Sequence, residues 1–442
     1  PLAAADAAFP GALAGERRAE IEAAIAEAGA RIGEVLPALA SDDPAETIDR
    51  LLAAIAADRD ATSSPDDDPM AALRLARDMI EHLEPTVTTR MAALRRTAPA
   101  AAHPMKPMPT TVARRLGAFA LSELGPDELW GRDLAGADLA GADLSGRDLS
   151  GAFLEKANLA GARLAGARLV ETTLAGADLT GADRSGAILD RTNLGSARLA
   201  GARLDGSAIR SPQLMLADLS GASFRRARIE EATFMMQTLD AIVLDEAELE
   251  KVYFIKCGLA GMSAARSRWT TCVLMDCAAP RPDFSGATIE ASGFVSVDLR
   301  QALFAGARLS RTGFVGSTAI PDSDWTGLEA SACSFVETDL SGAVFRRARF
   351  VDGTMVMANA RATDFRFARL RGSVLMRTDF RLADMVGADL FRATLHRADL
   401  RQATLRAANA YNCDFSDARL DGADLTDANL AGTTFTAPFV LG

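Results

Sequence analysis

Residues 134–149 read Leu-Ala-Gly-Ala-Asp-Leu-Ala-Gly-Ala-Asp-Leu-Ser-Gly-Arg-Asp-Leu, with a leucine at every fifth position. Outward from this stretch the spacing continues through Leu154, Leu159, Leu164, Leu169, Leu174 and Leu179 and on to Ala319. After a one-residue slip near 320–325 it resumes from Trp325 to Val440. Of the 62 positions in this series only Arg184 is not apolar. A second series stands two residues before each centre and is consistently small, as at Ala137, Ala142, Ala217, Ala222, Ala383 and Ala388. A period of five suits neither the 3.6-residue helix nor the two-residue alternation of a strand. It requires a chain that turns a corner every five residues, with one large and one small side chain pointing inward on each side. Four such sides close a coil of twenty residues.

The pentapeptides Ala-Asp-Leu-Ala-Gly (137–141), Ala-Asp-Leu-Ser-Gly (142–146), Ala-Asn-Leu-Ala-Gly (157–161) and Ala-Asp-Leu-Thr-Asp (423–427) resemble the pentapeptide-repeat proteins, and the resemblance covers about 310 of the 442 residues. It implies a mainly β fold, a right-handed quadrilateral β-helix of about fifteen coils over 130–442. At the usual strand spacing of about 4.8 Å such a rod is roughly 70–75 Å long.

The first 97 residues predict a small α-helical segment. Ile21, Ile25, Ile32, Val35, Leu36 and Leu39 recur at helical spacing, followed by the stripes Ile48–Ile55 and Met70–Leu83. Pro99, Pro104, Pro107 and Pro109 mark a semi-rigid linker over 98–110. Val112, Leu116, Phe119 and Leu124 predict a capping helix over 111–129, which would shield the first apolar layer of the stack. The chain opens on Pro1, which suggests a fragment or processed product. Its net charge of −11 is concentrated in residues 1–129, at −8, leaving the repeat portion at −3. The absence of an apolar run of eighteen residues argues against a transmembrane helix, and a cytoplasmic bacterial protein is expected.

The residue types that usually signal chemistry fall into the repeat pattern. Cys257, Cys272, Cys277, Cys333 and Cys413 all occupy the small inward slot, so they read as buried hydrophobes and not as a metal or redox set. Phe284, Phe294, Phe304 and Phe314 recur every ten residues, which predicts phenylalanine stacks on two opposite sides of the coil and aliphatics on the other two. His82, His103 and His396 lie far apart in the pattern. Walker, HExxH and GxSxG motifs are missing, and the many glycines are corner residues. No catalytic residue, cofactor or metal is assigned, and the chain is not expected to be an enzyme.

Three irregular places stand out. Arg184 occupies an inward slot and should escape outward or find a partner. Ala264 to Asp283, with Trp269, Pro280 and Pro282, predicts a distorted pair of coils, and the slip at Ala319–Trp325 predicts a bulge. On the outside, Arg225, Arg226 and Arg228 recur 121 residues later as Arg346, Arg347 and Arg349. That offset is six coils plus the slip, so both triplets should share one side of the rod, and they form the candidate interaction surface. Residues 340–410 carry a net charge of +7.

The expected function is a non-enzymatic protein-interaction scaffold. In its layout the chain resembles the C-terminal part of larger bacterial proteins that accompany type VI secretion effectors, which implies a role in effector loading or delivery. The alternative comes from family members that mimic duplex DNA and act on DNA gyrase. Such mimicry requires a strongly negative rod and is disfavoured by the near-neutral repeat portion. The partner is expected to be a protein of unknown identity, with nucleic acid disfavoured because no aromatics interleave the basic residues. The oligomeric state is left open, an end-to-end dimer being one option.

Overall fold

The computed structural model describes residues 129–436. The helices and linker expected over 1–97 and 98–110, nearly all of the capping helix, and the last centre at Val440 lie outside the described residues. Leu129 opens the described part as a buried turn residue.

The described chain is a mainly β, parallel solenoid, and no helix occurs in it. Each residue pairs with the residue one coil on, twenty positions later, as in Ile188↔Ala208 and Phe294↔Phe314. A nine-stranded parallel sheet runs from Ile188–Asp190 to Arg349–Val351, eight coil-to-coil steps, and forms the first wall. A seven-stranded sheet from Thr233–Met235 to Thr354–Val356 forms the second wall. Third and fourth walls, centred on residues such as Leu239 and Leu244, are joined by single bridges. Such bridges continue the coil on both flanks, from Asp133↔Phe153 to Asp414↔Thr434.

The local sequence explains the corner. At many corners the carbonyl of the centre accepts from the amide three residues on, as in Ala137 N to Leu134 O at 3.0 Å, a bond that the sheet strands of the first and second walls, such as the one centred on Phe234, do not make. The residue two after the centre has positive φ, which at the hydrogen-bonded corners fits a type II turn and explains the glycines, for example Gly141 at +66°. Side-chain-bearing residues also take this corner, Arg226 at +55° and Met236 at +52°, because stacking coils over-determine it. Aspartate before a centre braces the same turn: Asp143 Oδ1 accepts from Ser145 N at 3.1 Å.

Centres and small residues together form one continuous apolar column. Within it the aromatics stack on two opposite walls. Phe304 lies 4.9 Å from Phe284 and 4.0 Å from Trp325 on the fourth wall, while Phe314 lies 4.6 Å from Phe294 on the second. The two stacks meet edge to face, Phe304 to Phe314 at 6.0 Å.

Three local expectations need correction. The extra residue falls at Gly316–Ser317, ahead of 320–325, and Ile320, not Ala319, fills the inward slot. Pairing offsets change there from twenty to twenty-one, as in Asp298↔Ala319 and Leu303↔Asp324. The Thr318 hydroxyl secures the widened corner, 2.7 Å from the Val315 carbonyl. The stretch Ala264–Asp283 is regular, with Ser263↔Asp283 bridged, because Trp269 is accommodated inside and donates its Nε1–H to Ser267 Oγ at 2.7 Å. Arg184 neither escapes nor finds a partner. It is fully buried, its three guanidinium nitrogens have no hydrogen-bond partner, and burial pushes its pKa down to about 9.

Candidate interaction surfaces

Because the interior is filled, recognition falls to the outward residues: one on either side of each centre, and the corner. On the first wall, strand register aligns Arg228, Glu248, Arg268, Thr288, Arg308, Glu329 and Arg349 in one ladder. The two arginine triplets therefore share a side, six steps apart, or roughly 29 Å at the usual spacing.

Their surroundings differ. In the first triplet Arg225 pairs with Asp245 at 3.5 Å, Arg226 with Glu246 at 3.3 Å, and Arg228 with Glu230. In the second, Arg346 pairs with Asp364, but Arg347 and Arg349 have no carboxylate within ion-pairing distance among the described residues. Burial opposes ionisation of Asp364, yet hydrogen bonds from Arg366 and Arg346 outweigh it and lower its pKa to about 2. All these pairs are exposed enough to add little stability.

Beyond Arg349 the first wall opens a shallow hollow of about 710 Å³, lined by Arg349, Arg369, Arg371, Arg392, Asp389 and Phe391 among others. Only two carboxylates, Asp352 and Asp389, face its four guanidinium groups. Arg371 is bound by Asp389 at 3.4 Å and lies 4.5 Å above the Phe391 ring, with Arg392 at 5.1 Å from that ring. Phe391 in turn stacks on Tyr411 at 5.8 Å. The hollow combines unneutralised cations with a stacked aromatic floor. It was missed from sequence because Phe391 and Tyr411 are twenty residues apart; a reading at period twenty pairs them.

The second wall is the opposite in character. From Gln213 to Met376 no charged residue stands at either outward strand position, and the row includes Met215, Met235, Ile255, Met275, Val295 and Val336. Met215 is 65% exposed and Met236, at a corner, 68%. The column after the centres is apolar throughout, from Met215 to Met376, whereas the column before them mixes Gln213, Thr233, Ser334 and Thr354 with Tyr253 and Val273.

The other sequence candidates form no shared site among the described residues. All five cysteines are buried in the small slot. Burial pushes the Cys272 thiol up to about 11 and the Cys413 thiol up to about 12. His396 Nδ1 lies 2.9 Å from Ser416 Oγ on the second wall, whereas His82 and His103 lie outside the described residues. Among the described residues no group of three His, Cys, Asp or Glu is placed to hold a metal ion, and no helix is long and apolar enough to cross a membrane.

Coil geometry and inward code together define a parallel β-solenoid built on fives. The model of the pentapeptide repeats matches eight copies, over residues 137–174, 157–195, 167–206, 358–397 and 398–436. The chain belongs to the pentapeptide-repeat family. Among solved structures it is similar to a pentapeptide repeat protein from the Arabidopsis thaliana thylakoid lumen, at 32% identity over 23% of this chain and 70% of that one, with a TM-score of 0.22. It is similar to HetL, a pentapeptide repeat protein involved in heterocyst differentiation regulation from the cyanobacterium Nostoc sp. strain PCC 7120, at 23% identity over 74% and 98% of the two chains, TM-score 0.19. QnrB1, a plasmid-mediated fluoroquinolone resistance protein, matches at 18% identity over 46% and 93%, TM-score 0.31. A search of curated proteins returns no match.

Proposed function

We propose that the chain is a non-enzymatic scaffold that binds an acidic protein surface through the first wall between Arg347 and Arg392. The observation that carries this reading is the imbalance of charge around the hollow that Arg349 of the second triplet lines. Four guanidinium groups surround one hollow with two carboxylates, whereas the first triplet is matched by its own glutamates and aspartate. Cations left without internal partners on a stiff wall attract an external anion, and the aromatic floor adds contact area that ion pairing alone lacks. Of the six arginines singled out from sequence, Arg347 and Arg349 carry this role, and Arg225, Arg226, Arg228 and Arg346 are engaged within the chain.

The right-handed sense of the coil, the helical segment over 1–97 and its proline linker belong to the same reading, and rest on the family resemblance and on the apolar spacing of Ile21 to Leu39. A part in secretion-effector delivery rests on that layout alone and is not needed by the wall. DNA mimicry is a poorer fit, since a wall rich in guanidinium groups cannot imitate phosphates.

Affinity capture with the full chain, repeated after Arg347→Glu, Arg349→Glu and Arg369→Glu, tests the reading. A protein recovered by the wild type and lost by the triple variant is the expected result. Recovery that is unchanged by the triple reversal would remove the first wall from the account.

A further inference from the structure

The second wall carries a second, independent inference. Its uncharged strip spans nine coils, centred on residues from Leu214 to Leu375, with the Phe294 coil in the middle and four coils on either side. Polar coils bound it at both ends, with Asn193 and Ser196 before and His396 and Arg397 after. A patch so limited has a centre, and a centre permits a twofold axis.

We propose that this wall joins two copies of the chain face to face, with the rods antiparallel and the twofold axis running along the strand direction at the Phe294 coil. The operation reverses the order of coils and leaves the position within each strand unchanged. Each outward column then meets itself in reverse. In the corner column Lys256 meets Glu337 of the second copy, and by symmetry Glu337 meets Lys256. Met236 meets Met357, and Ser296 meets its own equivalent on the axis. In the column before the centres, bulky residues meet small ones: Tyr253 faces Ser334, and Val273 faces Gly313. In the column after them every pairing is apolar, with Val295 on the axis.

The alternative with parallel rods is poorer on charge, because it sets Lys256 against Lys251 of the same coil and forms no Lys256–Glu337 pair. The antiparallel arrangement places Glu231 opposite Asp352 at the far edge, but Lys251 and Arg210 lie 3.8 and 3.9 Å from the Glu231 carboxylate and offset that repulsion. The size is adequate as well. Eight steps of about 4.8 Å by a side about 12 Å wide give roughly 450 Å² of projected surface per copy. Side-chain relief carries the two-copy accessible area past the ~1,000 Å² of a specific interface. This pairing is lateral, and it leaves the arginine hollow on the adjacent wall open in both copies.

Sedimentation velocity of the full chain at micromolar concentration reads the outcome. The wild type is expected to be a dimer. Lys256→Glu should weaken it by about tenfold or more, since the new carboxylate faces Glu337 twice. Adding Glu337→Lys should restore it. Val295→Arg opposes its own copy across the axis and should give a monomer with an unchanged circular dichroism spectrum. A wild type that stays monomeric, a dimer indifferent to Val295→Arg, or a double charge swap that fails to recover the Lys256→Glu loss would each overturn the proposal.

Discussion

The first and second walls are built on the same interior and present opposite exteriors. Inside, both are ladders of apolar centres every twenty residues, Leu309 beneath Ala330 and Phe350 on one, Phe294 beneath Phe314 and Phe335 on the other. Outside, one carries Arg349, Arg369 and Arg371, and the other carries Val295, Val336 and Met376. The solenoid thus separates two codes. Period five sets the fold through residues that face inward, and period twenty sets the chemistry of each wall through residues that the fold ignores.

That separation breaks most forcefully from within. Phe304→Asp places a carboxylate between the Phe284 and Trp325 rings, where nothing can solvate it, and should cost more than about 4 kcal/mol in a denaturant titration. An effect below about 1 kcal/mol would mean that the ring does not sit in the stack. The reverse change sharpens the same point. Arg184 is the one charged centre, and Arg184→Leu should stabilise the chain by about 1–3 kcal/mol by removing buried donors that have no acceptor; destabilisation would reveal a partner for the guanidinium.

Smaller effects are expected on the outside. Reversal of Arg347, Arg349 and Arg369 should leave the unfolding free energy within about 0.5 kcal/mol of wild type, because no internal ion pair is lost. A larger loss would tie the wall to the fold. The smallest effect concerns acid. The pKa of Asp364 is held below its ordinary value in the folded chain, so its contribution is complete above pH 3.8 and is lost as the pH falls toward about 2. Asp364→Asn should therefore flatten the acid limb of the stability profile between those values, and an unchanged limb would show that Arg346 and Arg366 do not hold the carboxylate.

The interior was legible in the sequence because one rule repeats. Leu134 to Leu179 give the period, and the cysteines and the ten-residue phenylalanine spacing follow from it. The failures are local and physical. Ala319 and Ile320 both satisfy an apolar pattern, and only packing decides that the larger one points inward. Trp269 with two prolines suggests a distorted coil, but Ser267 in the small slot leaves room for the indole and accepts a hydrogen bond from its N–H. The walls were harder to read because their residues are neighbours only at a separation of twenty. Arginine repeats announced themselves through identical neighbouring letters, whereas Met215, Met235, Ile255 and Met275 share nothing but their column.

Thermal unfolding of Leu299→Asp beside Arg347→Glu, each followed by circular dichroism against the wild type, tests the separation of interior from wall most directly. Leu299 is fully buried and Arg347 is exposed. A large fall in melting temperature is expected for the first and almost none for the second. Equal shifts, or a larger shift for the arginine, would contradict it.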